Sequence, residues 1–248
     1  MLPVAEPACP GGGLKRAHPA QDMSMQTLAR FLQRNRGFFF FLLGMLAFRS
    51  ALADWNTVPT GSMQPTIRIG DRIVVDRMAY DLRVPFTHIS LLHRADPQRG
   101  DIVIIDSAAT GERLVKRVIG LPGDTVALRV NVLYVNGHAA RYQTAHVPDI
   151  VADRALPASY AVESLGGHGH LIRLSRYLPS PASNYGPVTV TAGHYLAMGD
   201  NRDDSYDSRF FGFVPRGEIV GRARFVAVSL DPARHGLPRA DRWGLALH

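Results

Sequence analysis

The sequence predicts a mainly β protein behind one N-terminal apolar helix, and three observations predict it. Short β-branched or apolar runs bounded by Gly or Pro recur after residue 56: Asp71–Asp76, Asp101–Ile105, Val188–Thr191 and Arg222–Leu230. Asn136-Gly137 follows Val132-Leu-Tyr-Val, and Asn-Gly between extended segments is the strongest short signal for a hairpin. Beyond residue 56 there is no long run with helical periodicity and no internal repeat, which leaves sheets as the way to bury a core.

The apolar helix is read from Gly37 to Phe48, a run with no charge or strong polar group. Helical residues advance about 1.5 Å each and the hydrocarbon core is about 30 Å thick, so a span requires continuation to Trp55. Residues 37–55 are therefore expected to form a transmembrane anchor, with Arg49 reaching for the headgroups and Trp55 at the interface. Arg30, Arg34 and Arg36 precede the run and place residues 1–36 in the cytoplasm, everything after the anchor outside. A cleavable leader ending at Ala51-Leu-Ala53 is the rival reading; Arg49 and the long polar stretch before the run count against it. The Pro-, Gly- and Ala-rich segment 1–24 carries no apolar period and is expected to be disordered, and Met23 and Met25 are further candidate starts.

Composition narrows the function. The formal charge is +7, yet the 28 basic residues are scattered singly, so a nucleic-acid partner is not expected. The single cysteine, Cys9, excludes an intrachain disulfide. Segment 140–185 is less apolar and reads as an inserted subdomain, which makes 56–139 and 186–230 the main β-domain and 231–248 a loop-like tail. His168 and His170 sit in a glycine-rich stretch and read as a solvated loop, since two imidazoles without a third ligand do not make a metal site. The aspartates at 200, 203, 204 and 207 lack the spacing and mid-loop glycine of a calcium loop. No metal and no cofactor are expected.

Lysine usage is the sharpest chemical signal. Lys15 and Lys116 are the only lysines among the 28 basic residues. Arginine keeps its proton in any site, whereas a desolvated lysine can release it and serve as a base. Lys116 lies in Leu114-Val-Lys-Arg-Val-Ile-Gly120, a strand pattern that buries the amine and turns Arg117 to the other face. A serine is available in Thr60-Gly-Ser62-Met-Gln-Pro65, and a neutral lysine beside a serine activates the hydroxyl without histidine. The Thr60 hydroxyl and the Ser62 N–H suit an oxyanion hole. In Gly199-Asp-Asn-Arg-Asp-Asp-Ser205-Tyr-Asp-Ser-Arg209, Ser205 is placed to orient the lysine.

Four segments in order, Pro59–Thr66, Arg99-Gly-Asp-Ile-Val103, Val115–Asp124 and Gly199–Arg209, resemble those of the type I signal peptidases, membrane-anchored Ser–Lys proteases. The resemblance extends from Arg49 to about Ser229 and is weakest over 140–185. It implies a catalytic β-domain with a smaller β-rich insertion, with Ser62 as nucleophile, Lys116 as general base, and Ser205 and Thr60 in orienting and oxyanion roles. Thr60 stands where many members have serine. It further implies an Arg117–Asp200 ion pair, a supporting Asp207 and Arg209, and shallow substrate pockets lined by Val58, Met63, Ile67, Leu114 and Val115. The partners implied are exported preproteins, cut after Ala-X-Ala-like sites, and the lipid bilayer, with the enzyme on the outer face of a bacterial inner membrane. Other Ser–Lys peptidases and a catalytically dead scaffold are the competing readings.

Overall fold

The computed structural model describes residues 25–51, 53–84, 87, 89–147, 157–165, 167–177 and 179–248. Two helices, α1 (Met25–Arg34) and α2 (Arg36–Ala51), are followed by seventeen strands. These are β1 (Ala53–Thr57), β2 (Asp71–Asp76), β3 (Asp81–Arg83), β4 (Ser90–His93), β5 (Ile102–Asp106) and β6 (Arg113–Gly120). Next come β7 (Thr125–Arg129), β8 (Val132–Val135), β9 (His138–Ala139), β10 (Arg141–Thr144), β11 (Ala158–Leu165) and β12 (His168–Ser175). The last are β13 (Tyr185–Thr189), β14 (His194–Met198), β15 (Val214–Pro215), β16 (Ile219–Asp231) and β17 (Leu237–Pro238), with the short helix α3 (Ser208–Phe211) between β14 and β15. Mainly β is thus the observed class. The chain divides into two units, Met1–Met45 and Leu46–His248, and the second holds every strand.

Residues 25–34, part of the expected cytoplasmic tail, are helical, while 1–24 lie outside the described residues. The apolar helix stops at Ala51, and Trp55 sits in β1, paired with Val74 of β2. Among the described residues no helix is long and apolar enough to cross a membrane. The reason lies in Ala53–Thr57, whose backbone groups are taken by the β2 ladder rather than by another helical turn.

In the second unit the main sheet runs β1-β2-β16-β5-β6-β14-β15, with β17 on β16, and its ladders are antiparallel. β5 is central and buried on both faces, which is why Ile102–Ile105 reads as a continuous apolar run. Ile102 and Ile104 pack with Val58, Met63, Ile67, Ile73 and Val226 on one face. Val103 and Ile105 pack with Tyr80, Val118, Tyr195 and Ile219 on the other. Each such aliphatic side chain contributes about 1.5–3 kcal/mol on burial. A second sheet, β13-β7-β8-β9, shares a core with the main one through Ile119, Leu196 and Met198. Its β8–β9 turn is Asn136-Gly137, both at positive φ (51° and 80°), as a tight primed hairpin requires.

Residues 141–175 contribute a separate three-stranded sheet, β10-β11-β12. Strands β7 and β13, which flank it in sequence, pair with each other. His168 and His170 are on β12, not in a loop, and the His170 side chain is buried. The tail beyond residue 231 is also not loose. Leu247 enters the core, Ala246 bridges to Phe225, and buried Arg242 pairs with Asp71 at 2.6 Å. Helical spacing was never going to reveal this, since the tail is held by isolated anchors rather than by a periodic face.

Candidate active site

Lys116 leaves β6 opposite Val103 of β5, so its side chain projects on the same face as Val103 and Val118. The residue is 3% exposed. Its amine donates to Ser205 Oγ at 3.2 Å. Burial pulls the Lys116 pKa down to about 8; the nearby Asp207 carboxylate opposes that shift and the Arg209 guanidinium assists it. A substantial fraction of the amine is therefore neutral at mildly alkaline pH.

Ser62 lies in a compact turn segment between Val58 and Asp71. Gln64 N–H donates to the Gly61 carbonyl and Ile67 N–H to the Met63 carbonyl, folding the segment tightly. Buried Met63 and Ile67 anchor it to the core, while Ser62 itself stays half-buried and Thr60 exposed. The loop after β14 clamps this segment. Asn201 donates its backbone N–H to the Ser62 carbonyl at 3.0 Å and its Nδ2 to the Gly61 carbonyl at 3.1 Å.

Gly199 brings the serine segment and the lysine together. A Cβ at this position would lie 2.4 Å from the Ser62 carbonyl oxygen and 2.3 Å from Ser205 Oγ, so only glycine lets all three approach. Ser62 is thereby held beside Ser205, and Ser205 is hydrogen-bonded to Lys116. Among the described residues no hydrogen bond joins Lys116 Nζ directly to Ser62 Oγ.

The supporting ion pairs are buried. Arg117, on the face opposite Lys116, grips Asp200 with two bonds of 2.8 Å. Asp207 accepts from Gly199 N–H at 3.0 Å, caps α3 and binds Arg209 through Nε and Nη2 at 2.8 Å. Burial would raise the carboxyl pKa of both aspartates. Arg117 holds Asp200 below the usual range, and Arg209, with help from Ser205, does the same for Asp207. Such pairs fix geometry more than they add stability.

Val58, Met63 and Ile67 are buried in one core cluster, with Val115 half-buried against them. Leu114 points the other way and packs beside Val103 and Phe211, so it and Val115 serve opposite faces of β6. Two open cavities, of about 290 and 430 Å³, lie between the main sheet and the inserted one. The larger reaches Pro65 and Thr66, and neither is lined by Ser62 or Lys116. No cluster of potential metal ligands occurs among the described residues.

A profile of the family described as signal peptidase, peptidase S26, matches residues 32–228. The chain belongs to that family. Signal peptidase I of Pseudomonas aeruginosa is 36% identical over 250 residues, covering 94% of this chain and 86% of the relative. Signal peptidase I of Pseudomonas fluorescens is 35% identical, covering 86% and 78%. A probable signal peptidase I-2 of Synechocystis is 32% identical, covering 72% and 64%. This signal peptidase family member is a serine endopeptidase, and the matched range includes positions 62, 116 and 205.

Gly199 and Asn201 have no role that the sequence alone predicts. Their signal is contact across 140 residues of sequence, which spacing does not carry. Glu163 and Arg202 went unassigned for the same reason.

Proposed function

We propose that this chain removes N-terminal signal peptides from exported preproteins by a Ser62–Lys116 dyad. The observation that carries the reading is the dry Lys116 amine, hydrogen-bonded to Ser205 beside the Ser62 backbone. Neutral Lys116 takes the Ser62 proton as Ser62 Oγ attacks the scissile carbonyl; a rotation of the serine side chain brings the hydroxyl to the amine. The Ser62 N–H and the Thr60 hydroxyl hold the oxyanion. The amine of the mature protein leaves with a proton from Lys116. A water deprotonated by Lys116 then hydrolyses the acyl-enzyme and releases the signal peptide.

Selection for small residues follows from packing. Val58, Met63 and Ile67 already fill the space behind the serine segment, which leaves room for only shallow pockets, with Val115 on their margin and Leu114 on the other face of β6. Alanine at the first and third positions before the cut fits such a floor. The enzyme meets these substrates at the outer face of the bacterial inner membrane, N-terminus inside, held by its apolar helix. Phe38, Phe40, Phe41 and Met45 on that helix are exposed, as lipid-facing side chains would be. Sixteen residues reach about 24 Å, so local bilayer thinning or help from α1 completes the anchoring.

Incubation of the detergent-solubilised protein with a preprotein, followed by N-terminal sequencing of the product, tests the reading. A new N-terminus directly after Ala-X-Ala is expected. Absence of cleavage, or cleavage undiminished in Ser62→Ala, would overturn it.

A further inference from the structure

We propose that the inserted sheet is a positioning part of the catalytic apparatus: Glu163, through its pair with Arg202, keeps loop 199–209 in the register that holds the Lys116 amine dry against Ser205. This rests on the reading of Lys116 as the base and gives the insertion a function.

Glu163 stands on β11, the middle strand of the inserted sheet, and is fully buried. Its Oε2 accepts from Arg202 Nη1 at 2.7 Å and from the Tyr142 hydroxyl at 2.6 Å, and its Oε1 is paired with Arg202 Nη2. Burial alone would raise the Glu163 pKa, but Arg202 and His170 hold it far below the usual carboxylate range. Removing either charge leaves the other stranded in a dry site, so sheet and loop separate only by exposing or stranding a buried charge.

Arg202 is three residues from Ser205 and is itself a node. Its N–H donates to the Arg173 carbonyl of β12 at 3.0 Å, and its own carbonyl accepts from Arg209 Nη2 at 2.7 Å. Arg209 grips Asp207, Ser205 lies two residues before Asp207 and helps to hold its pKa down, and Ser205 accepts from Lys116. Through loop 199–209, hydrogen bonds thus tie the middle strand β11 to Arg202, Arg202 to Arg209 and Arg209 to Asp207, two residues from the Ser205 that binds the amine. β12 adds a second attachment: Arg173 N–H donates to the Asp200 carbonyl, and Ser175 N–H to Asp203 Oδ2, both at 2.9 Å.

A merely structural pair would change stability and nothing else. A positioning pair changes how dry Lys116 is. If the loop loosens, water reaches the amine, and the dominant influence on its pKa, burial, weakens, so the pKa rises towards that of ordinary lysine.

The two lysines make this measurable without activity. In detergent-solubilised full-length protein carrying 13C at lysine Cε, one of two side-chain resonances belongs to Lys116 and is assigned by its loss in Lys116→Arg. In Glu163→Gln the Lys116 titration is expected to rise by about one pH unit, and in Tyr142→Phe by less. The acid limb of kcat/KM should move with it. For a short peptide substrate kcat should fall about tenfold with KM unchanged to within about twofold. A Lys116 titration identical to wild type in folded Glu163→Gln overturns the proposal. If that variant does not fold, an unchanged titration in Tyr142→Phe overturns it. A shifted titration together with cleavage undiminished by Ser62→Ala would sink the dyad and leave the positioning role standing. An unshifted titration with inactive Ser62→Ala and Lys116→Arg would do the reverse.

Discussion

Lys116 is held in a site that disfavours its charged form. With a pKa of about 8 in the folded chain against about 10.5 unfolded, the folded state binds fewer protons between those values. Below pH 8 the folded protein must bury an ammonium group, at a cost on the order of 3 kcal/mol, and above about 10.5 that cost vanishes. Lys116→Met is therefore expected to melt higher than wild type at pH 7, with the gain fading between pH 8 and 10.5. Thermal denaturation across that range checks it, and a gain that grows with pH contradicts the sign. Activity has its own pH dependence. The kcat/KM of the wild type should fall about tenfold per unit as pH drops below 8, because only the neutral amine accepts the serine proton. Lys116→Arg and Ser62→Ala should each lower kcat/KM by at least about 10³-fold while leaving the circular dichroism spectrum unchanged. Turnover of the arginine variant near the wild-type rate would remove the neutral-base role. Lys116 was legible from sequence because residue usage singled it out. Gly199 was not, because its importance is the 2.4 Å that separates a hypothetical methyl from the Ser62 carbonyl.

The loop between β14 and α3 is the element on which the site turns. It is irregular in backbone yet mostly buried, with Asp204 and Tyr206 exposed, and side chains hold it in place: Asp207 on Gly199 N–H and Asn201 on the Gly61 carbonyl. Gly199→Ala places a methyl group against two oxygens. It should destabilise the chain by about 1–3 kcal/mol and reduce kcat more than the lost stability explains, since Ser62 and Ser205 are both pushed aside. Denaturant unfolding beside kinetics on the folded fraction separates the two effects; full activity with a normal Lys116 titration would show that the loop tolerates displacement. The strands themselves were readable. β2, β5 and β16 coincide closely with apolar runs, and the Asn136-Gly137 turn with its signature. The strand β1 was not, because Ala53–Thr57 carries no β pattern of its own and is extended only by pairing with β2.

At the scale of the whole second unit, the last residues of the chain close the core. Arg242 provides two bonds to the buried Asp71 carboxylate and one to the Thr66 carbonyl, four residues after Ser62. Arg242→Ala should cost about 3–5 kcal/mol by stranding Asp71, lowering the melting temperature; a loss under about 1 kcal/mol would mean that Arg239, 4.0 Å from Asp71, substitutes for it. The tail looked uninformative in sequence because its anchors, Arg242 and Leu247, are single residues separated by turns. The class of fold was legible because strand patterns are local, while the three-way attachment of insertion, loop and tail is made by contacts remote in sequence. The near absence of lysine has one more consequence. β6 lies inside the sheet between β5 and β14, so an endoproteinase specific for lysine can cut after residue 116 only when that strand leaves the ladder. The rate of that one cut, followed under native conditions, reads out the opening of the molecule's centre without any label.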